Sequence, residues 1–193
     1  MRKILAVLAV LALAGISASA AGGLGLFGSY WDADGDVGMG GGLKLKMEMA
    51  PNIALELRGS YLPEWDFDED ETGDAMEDFS VIPVEADLVV NFPLGDMLKI
   101  YGGAGGGYYV TPEFESDVAI PGSDEPDVDP EDVFGYFALG GVEIALSEQV
   151  SLFAEAQYRW VEFDEVEIDG EDVDVDDADL TGFGANAGLL LTW

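Results

Sequence analysis

Residues 43–49 read Leu43, Lys44, Leu45, Lys46, Met47, Glu48 and Met49, a strict alternation between apolar and charged side chains. Successive side chains of a β-strand point to opposite faces, so this spacing predicts a strand with one apolar and one charged face. The segment 53–61 repeats the alternation after a connection of only three residues, 50–52. The two segments are therefore predicted to pair as a β-hairpin.

Eight segments of the chain follow this pattern, and their connections differ in length. The segments are 23–31, 37–49, 53–62, 79–92, 98–110, 133–146, 151–161 and 181–193. The connections after the second, fourth and sixth segments are short, whereas 63–78, 111–132 and 162–180 are long. Short turns at one end and long loops at the other predict an all-β, eight-stranded antiparallel up-and-down transmembrane barrel. Both chain ends would then lie on the short-turn side, in the periplasm.

The first twenty residues have the pattern of a secretory signal peptide. Arg2 and Lys3 precede an apolar run over 4–14, and the small residues 18–20 follow it. This order predicts export and cleavage after Ala20, which leaves 21–193 as one barrel domain. An N-terminal membrane anchor is the alternative, but the apolar run is short for spanning a bilayer.

The composition excludes several classes of function. The chain has 7 Lys and Arg against 40 Asp and Glu, and this balance repels nucleic acid. It contains no Cys and no His, so hydrolases that use His to activate a nucleophile are excluded. Paired carboxylates of the glycosidase type remain conceivable, although forty acids produce accidental pairs. We expect no enzymatic activity and no cofactor.

Four stretches resemble the small outer-membrane barrels of Gram-negative bacteria, of the OmpX, OmpW and OmpA-barrel type. They are 100–110, 140–146, 151–161 and 182–193, and the resemblance extends over 23–193. It implies a location in the outer membrane, contact with its lipid, and insertion by the barrel-assembly machinery. The chain end looks like the assembly signal of these barrels, with Leu189 and Leu191 preceding a terminal aromatic, Trp193.

Three features depart from that family's pattern. The terminal aromatic is Trp rather than the commoner Phe, and the loops are far more acidic than in the family. Pro83 falls inside a predicted strand, although proline cannot donate a ladder hydrogen bond. We expect Pro83 to mark a bulge or the rim above the membrane.

Aromatic residues lie near the predicted strand ends, where two membrane-interface girdles are expected. The alternative is that they are ordinary core residues of a soluble β-protein. Phe92 and Trp193 lie toward the short-turn end. The residues toward the long-loop end are Tyr30, Trp31, Tyr61, Trp65, Phe79, Tyr108, Tyr109, Phe134, Tyr136, Trp160 and Phe183.

The connections on the long-loop side are the short first one, 32–36, and the three long ones, 63–78, 111–132 and 162–180. Together they hold 32 of the 40 acidic residues and no Lys or Arg. Oxygen ligands favour Ca²⁺ or Mg²⁺, but residues 32–43 fail the EF-hand pattern because Val37 replaces its glycine and Leu43 its glutamate. We therefore expect diffuse binding of divalent cations rather than a specific site. Adaptation to high salt, or simple solubility, is the alternative explanation of the acidity. Representative acids are Asp68, Glu69, Asp70, Asp174, Asp176 and Asp177.

The polar strand faces predict a network of ion pairs inside the barrel. Buried charges must pair, and an eight-stranded barrel is only wide enough for its own side chains. If Met49 faces Ile53, then Lys46 contacts Glu56, and Arg58 contacts Asp87 or Glu85. A narrow polar pore is the alternative. The predicted network comprises Lys44, Lys46, Glu48, Glu56, Arg58, Glu85, Asp87, Glu143, Glu155 and Arg159.

Three functions fit these observations. The first is a structural or surface-interaction barrel with acidic extracellular loops that bind divalent cations diffusely. The second is a narrow, porin-like channel for small solutes or cations. The third is a soluble, lipocalin-like barrel that binds an apolar ligand inside. In a lipocalin the same alternation occurs with the apolar face turned inward.

Overall fold

The computed structural model describes residues 21–33, 36–66, 80–110, 114–115, 127–130, 133–161, 166–168, 171–173 and 180–193. Eight long strands form a closed barrel, which confirms the predicted all-β fold, and four short strands form a second sheet. Within the described ranges, no helix has the length and apolarity to cross a membrane. In chain order the strands are β1 (Gly22–Ala33), β2 (Asp36–Ala50), β3 (Ile53–Asp66), β4 (Ile82–Pro93), β5 (Leu98–Val110), β6 (Phe114–Glu115), β7 (Asp127–Pro130), β8 (Val133–Ala145), β9 (Val150–Trp160), β10 (Val166–Ile168), β11 (Glu171–Val173) and β12 (Gly182–Thr192).

The eight barrel strands pair antiparallel in chain order, and β1 closes the barrel against β12. The backbones of Gly22 and Trp193 exchange hydrogen bonds of 3.3 and 3.0 Å at this closure. The connections at one end are tight, and Gly95, in the turn between β4 and β5, has a φ of 99° that favours glycine. Both described chain ends lie at this short-turn end. The up-and-down topology is as predicted.

The alternating strand faces are polar inside and apolar outside. Along β9, Ser151, Glu155 and Gln157 are buried, whereas Leu152 and Tyr158 are exposed. Large apolar side chains on the outside of a barrel need a lipid environment, because water would make their exposure costly. This orientation is the reverse of the one that a lipocalin-like ligand binder requires.

The β2–β3 hairpin has the predicted register except at its turn. Leu45 pairs with Leu57 and Lys46 with Glu56, but Ile53 pairs with Ala50 rather than with Met49. The predicted Met49–Ile53 pair is therefore wrong. Met49 is an extra residue in a β-bulge, which allows the strands to close through a two-residue turn.

Pro83 interrupts the ladder between β3 and β4 without shifting its register. The continuous pairing ends at Gly59 and Val84, and one further bridge joins Leu62 to Val81 in the same register. Because a bulge would shift the register, the expectation of a bulge is wrong at this position. The missing N–H of Pro83 lies near the long-loop end, as the rim interpretation expected.

Most of the predicted outer aromatic girdle faces the lipid, but two of its members do not. Trp31 and Tyr109 are fully buried inside the barrel, because their strand positions point inward. The side chains of Trp65 and Phe79 lie outside the described residues. Phe92 and Trp193 are exposed at the short-turn end. The exposed outer aromatics include Tyr61, Tyr108, Phe134, Tyr136, Tyr158, Trp160 and Phe183.

The second, smaller sheet connects two of the segments that were predicted to be long loops. Its strand order is β11-β10-β7-β6. Val166 to Ile168 of β10 pair antiparallel with Val128 to Pro130 of β7. The sheet therefore joins the loop after β5 to the loop after β9.

Candidate functional site: the charged lumen

The lumen contains five basic and five acidic side chains, which ion pairs and the hydrogen bonds of Gln157 join into one network. The basic residues are Lys44, Lys46, Arg58, Lys99 and Arg159, which are all the Lys and Arg residues of 21–193. The acids are Glu56, Glu85, Asp87, Glu143 and Glu155. The formal charges of the network therefore cancel, and the excess negative charge of the chain lies outside it.

Glu155 is the central acid of the network and accepts four side-chain hydrogen bonds. Lys44 Nζ and Tyr101 Oη donate to Oε2, each at 2.9 Å. Arg58 Nη1 and Asn186 Nδ2 donate to Oε1, at 2.8 and 3.1 Å. Both oxygens are thus fully engaged, and Glu155 connects strands from opposite sides of the barrel.

Glu56 and Asp87 complete the surroundings of Arg58. The Arg58 guanidinium lies 2.6 Å from Asp87 and 3.2 Å from Glu56, as measured from Nη2. Lys46 Nζ lies 3.7 Å from Glu56 Oε1, and Lys44 Nζ lies 3.3 Å from Oε2. The predicted contact of Lys46 with Glu56 is present, and of the two partners predicted for Arg58, Asp87 or Glu85, the structure shows an ion pair with Asp87. Glu56 is shared by three cations rather than by one.

Glu85 organises the part of the network nearer the long loops. Its Oε1 accepts hydrogen bonds from Arg159 Nε and Gln157 Nε2, both at 2.8 Å, and from Tyr109 Oη at 3.2 Å. The Arg159 guanidinium also lies over the ring of Trp31, 4.4 Å from its centroid, in cation–π geometry.

At the short-turn end, Glu143 bridges two lysines. Its carboxylate lies 3.1 Å from Lys46 Nζ and 3.1 Å from Lys99 Nζ. The Lys99 side chain is 31% exposed, so the network reaches water here. Glu48 is half-buried, and among the described residues it has no ion-pair partner. The structure thus brings together nine of the ten predicted lumen residues and leaves Glu48 aside.

Several residues of the network were missed from the sequence because glycines hide the phase of β5. The glycines at 102, 103 and 105–107 give no polar or apolar signal, so Lys99 and Tyr101 could not be assigned a face. The alternation that indicated the faces of β9 and β12 could have identified Gln157 and Asn186. They were not assigned to the network because their side chains are uncharged and the prediction relied on charge pairing.

The acidic side chains of the lumen are all engaged by basic ones. Each of the five lumen carboxylates is within 4 Å of a cation, so none of them is left as an unpaired acid or base. No group of three or more potential metal ligands occurs among the described residues. The six acids predicted to bind cations diffusely, in 68–70 and 174–177, lie outside those residues.

The predicted assembly signal lies on the outer face of the last strand. Leu189, Leu191 and Trp193 are all about half exposed and point toward the lipid. Leu189 and Leu191 pair with Leu26 and Leu24 of β1, which places these residues at the barrel closure.

Comparisons with known proteins agree with this architecture. Residues 4–189 match the family described as outer membrane protein beta-barrel domain. No curated protein sequence shows significant similarity to the chain.

Similar solved structures include Neisserial surface protein A, with 13% identity and a TM-score of 0.59, covering 90% of this chain and 96% of that one. A major outer membrane protein from Thermus thermophilus has 15% identity and a TM-score of 0.55, with 90% and 99% coverage. The Yersinia pestis protein Ail has 14% identity and a TM-score of 0.51, with 90% and 97% coverage. At these identities the likeness concerns the fold alone. By its family match and its closed eight-stranded barrel, the chain belongs to the outer membrane protein β-barrel domain family and is located in the outer membrane.

Proposed function

We propose that this protein is a closed outer-membrane barrel that anchors a strongly acidic extracellular surface, which gathers divalent cations. The observation that carries the proposal is the separation of charge. All five basic residues of 21–193 lie in the lumen, where five acids neutralise them. The remaining 35 of the 40 acidic residues have no basic side chain outside the lumen to balance them.

The small loop sheet supports the attraction of cations. Its register places Glu167 of β10 between Asp172 of β11 and Asp129 of β7, and it pairs Glu115 with Asp127. Like charges directly opposite each other destabilise a sheet. Cations bound near these positions would relieve the repulsion, and oxygen ligands favour Ca²⁺ and Mg²⁺.

The same charge separation argues against binding of polyanions. One solved structure of Ail is a complex with the heparin analogue sucrose octasulfate. Recognition of sulfate groups needs accessible Lys or Arg. Over 21–193 those residues are committed to the lumen, so a cationic partner fits the outer surface better than an anionic one.

The experiment that tests the proposal is a titration of Ca²⁺, Mg²⁺ and Na⁺ against the protease sensitivity of the loops in lipid vesicles. We expect protection to rise with ion charge and to differ little between Ca²⁺ and Mg²⁺. A single saturable calcium site with micromolar affinity would contradict diffuse binding, and no protection by any cation would contradict the proposal itself.

Biogenesis forms a second part of the proposal. Residues 1–20 are proposed to be removed as a signal peptide, and the barrel-assembly machinery is proposed to insert 21–193 through the signal ending at Trp193. N-terminal sequencing of the membrane-inserted protein should begin at Ala21. Deletion of Trp193 should reduce insertion in cells, and a chain that starts at Met1 would contradict the cleavage.

A narrow channel for small solutes or cations is the competing function. It requires a continuous open path through the lumen, whereas the described lumen side chains cross the barrel from Lys44 to Glu155 and from Arg159 to Glu85. We therefore favour a closed barrel.

A further inference from the structure

The long-loop end of the lumen contains a compact apolar cluster. It comprises seven buried residues and the partly buried Val133, and they come from the outer ends of most barrel strands. Five of the seven are completely buried. We call this cluster the outer seal; its members are Trp31, Ala33, Leu62, Val81, Tyr109, Val133, Val161 and Leu180.

Trp31 is the largest side chain of the outer seal. Its ring packs against Tyr109 with a centroid distance of 5.4 Å. The Arg159 guanidinium lies 4.4 Å from the Trp31 ring centroid, so Trp31 directly covers the charged network on its long-loop side. Removal of such a side chain would leave a cavity above the network, because close-packed surroundings relax only partly.

The short-turn end of the lumen is built differently. A chain of contacts runs from the partly exposed Lys99 through Glu143 and Lys46 to Glu56 in the centre. Asn91 Oδ1 accepts a hydrogen bond from Lys46 Nζ beside this chain. Among the described residues, charged groups therefore connect the centre of the lumen with water at the short-turn end and not at the outer seal.

Seven buried side-chain nitrogen and oxygen atoms have no hydrogen-bond partner among the described residues, and two of the oxygens belong to cross-strand neighbours below the outer seal. These two oxygens are Ser29 Oγ and Asn186 Oδ1, on residues that pair directly in the β1–β12 ladder. Buried polar atoms of this kind are normally satisfied by water. Because Ser29 lies two residues below Trp31 on the same strand face, it is well placed to report on what passes the outer seal.

We propose that the outer seal is a hydrophobic gate that keeps external cations out of a charged lumen that is hydrated from the periplasm. Trp31 is the central residue of the gate. The outer seal, rather than the ion-pair network beneath it, is the main barrier to cations that enter from outside. That the gate excludes mainly cations rests on the proposed function, because the acidic exterior concentrates cations at the outer end of the barrel.

The experiment uses the absence of cysteine from the chain. A single Ser29→Cys substitution places a thiol of nearly the same size below the outer seal. The variant is inserted in vesicles, with outward-facing loops verified by proteolysis, and treated with two methanethiosulfonates of similar size. One carries a trimethylammonium group and the other a sulfonate. Trp31→Ala is then combined with Ser29→Cys, and Phe183→Ala serves as the matched control, because Phe183 is an exposed aromatic at the same end of the barrel.

We expect the introduced thiol to react slowly when the outer seal is intact, since reaction then depends on rare local opening. Trp31→Ala should accelerate both reagents by about tenfold or more, because it opens the outer seal. In that variant the cationic reagent should react faster than the anionic one, relative to their rates with a free thiol in solution, because the acidic surroundings concentrate cations. Phe183→Ala should leave the rate unchanged. Heat-modifiable migration on gels verifies that each variant is folded, and Trp31→Leu replaces Trp31→Ala if that variant does not fold.

Four outcomes discriminate between the explanations. The gate proposal would be overturned if the introduced thiol reacted at the same rate with and without Trp31. It would also be overturned if Phe183→Ala accelerated the reaction as much as Trp31→Ala does. Rapid reaction of the introduced thiol with Trp31 in place would overturn it as well. Equal rates of the cationic and the anionic reagent in the Trp31→Ala variant, each relative to its rate with a free thiol in solution, would support the gate but contradict the acidic surface of the proposed function.

Discussion

Two adjacent glycines of β8 occupy opposite faces of the barrel wall and have different reasons to be glycine. A Cβ on Gly141 would collide with the phenol of Tyr101, at 2.5 Å from Cζ and 2.6 Å from Oη. A Cβ on Gly140 would face the lipid and meet only the carbonyl oxygen of Tyr101, at 3.9 Å. Of the two, only the inward glycine is required by the packing of the lumen.

This difference predicts opposite effects of the same substitution. Gly141→Ala should destabilise the folded barrel because it displaces Tyr101 from its 2.9 Å hydrogen bond to Glu155. Gly140→Ala should be neutral or stabilising by up to about 0.5–1 kcal/mol, since alanine loses less backbone entropy in a strand. Urea unfolding in lipid vesicles measures both. A larger loss for Gly140→Ala than for Gly141→Ala would contradict the assignment of the two faces.

At the residue scale, parity along a strand predicted most of the inward side chains. Lys44, Arg58 and Glu155 follow from alternation alone, since each lies on the face opposite a row of large apolar residues. Trp31 was misplaced because its aromatic character was weighed above its position, and Tyr109 because the glycines of β5 hide the phase of that strand. A strand position determines the direction of a side chain, and residue type does not.

At the scale of single strands, the network depends unequally on its acids. Glu155→Gln removes the charge that faces both Lys44 and Arg58. Loss of one partner from a buried pair costs about 3–5 kcal/mol, because the remaining charge stays buried. Glu143→Gln should cost less, because Lys99 keeps contact with water at the short-turn end.

The free energy of unfolding of the two variants, measured by urea titration in the same vesicles, gives the comparison. Equal losses for Glu155→Gln and Glu143→Gln would show that burial does not control the strength of these pairs. A loss confined to Glu143→Gln would contradict the central place of Glu155.

The outward face of β4 gives a separate prediction. Leu88 lies in the middle of the strand, is 56% exposed, and points toward the lipid. Leu88→Arg should destabilise the barrel by about 2–4 kcal/mol, the cost of a charge near the bilayer midplane. Leu88→Phe is the control, because it keeps an apolar side chain of large size. Equal folding yields of the two variants would mean that Leu88 points into the lumen rather than toward the lipid.

An inward position is not automatically a suitable control for such a test. Ala54 is fully buried against Val89, Tyr101, Phe137 and Leu139, so an arginine there would be overpacked despite its inward position. The alternation of the sequence shows that Ala54 points inward. It does not show that side chains of the neighbouring strands fill the lumen around Ala54.

Elements whose limits depend on long-range pairing were predicted less well. β3 continues to Asp66, beyond its predicted end at residue 62, because β2 offers backbone partners as far as Val37. The Met49 bulge and the pairing of β7 with β10 likewise depend on partners that the local sequence does not contain.

At the scale of the whole molecule, the chain separates a neutral network in the lumen from an acidic exterior. This separation predicts that the barrel does not bind heparin at physiological salt, whereas it binds an anion-exchange matrix, which is positively charged. The physical reason is that all basic side chains of 21–193 are in the lumen pairs. Retention on immobilised heparin would contradict this prediction. Failure of the barrel to bind either matrix would show that the acidic loops are already neutralised.

The central claim is that ion pairs and an apolar outer seal fill the lumen, so that the barrel is closed. Single-channel recording of residues 21–193 in planar lipid bilayers tests it most directly, with insertion verified by heat-modifiable migration of the same preparation. We predict a silent bilayer in KCl across the voltage range in which the membrane itself is stable. Reproducible unitary current steps from the unaltered protein would contradict the closed lumen and favour the narrow channel instead.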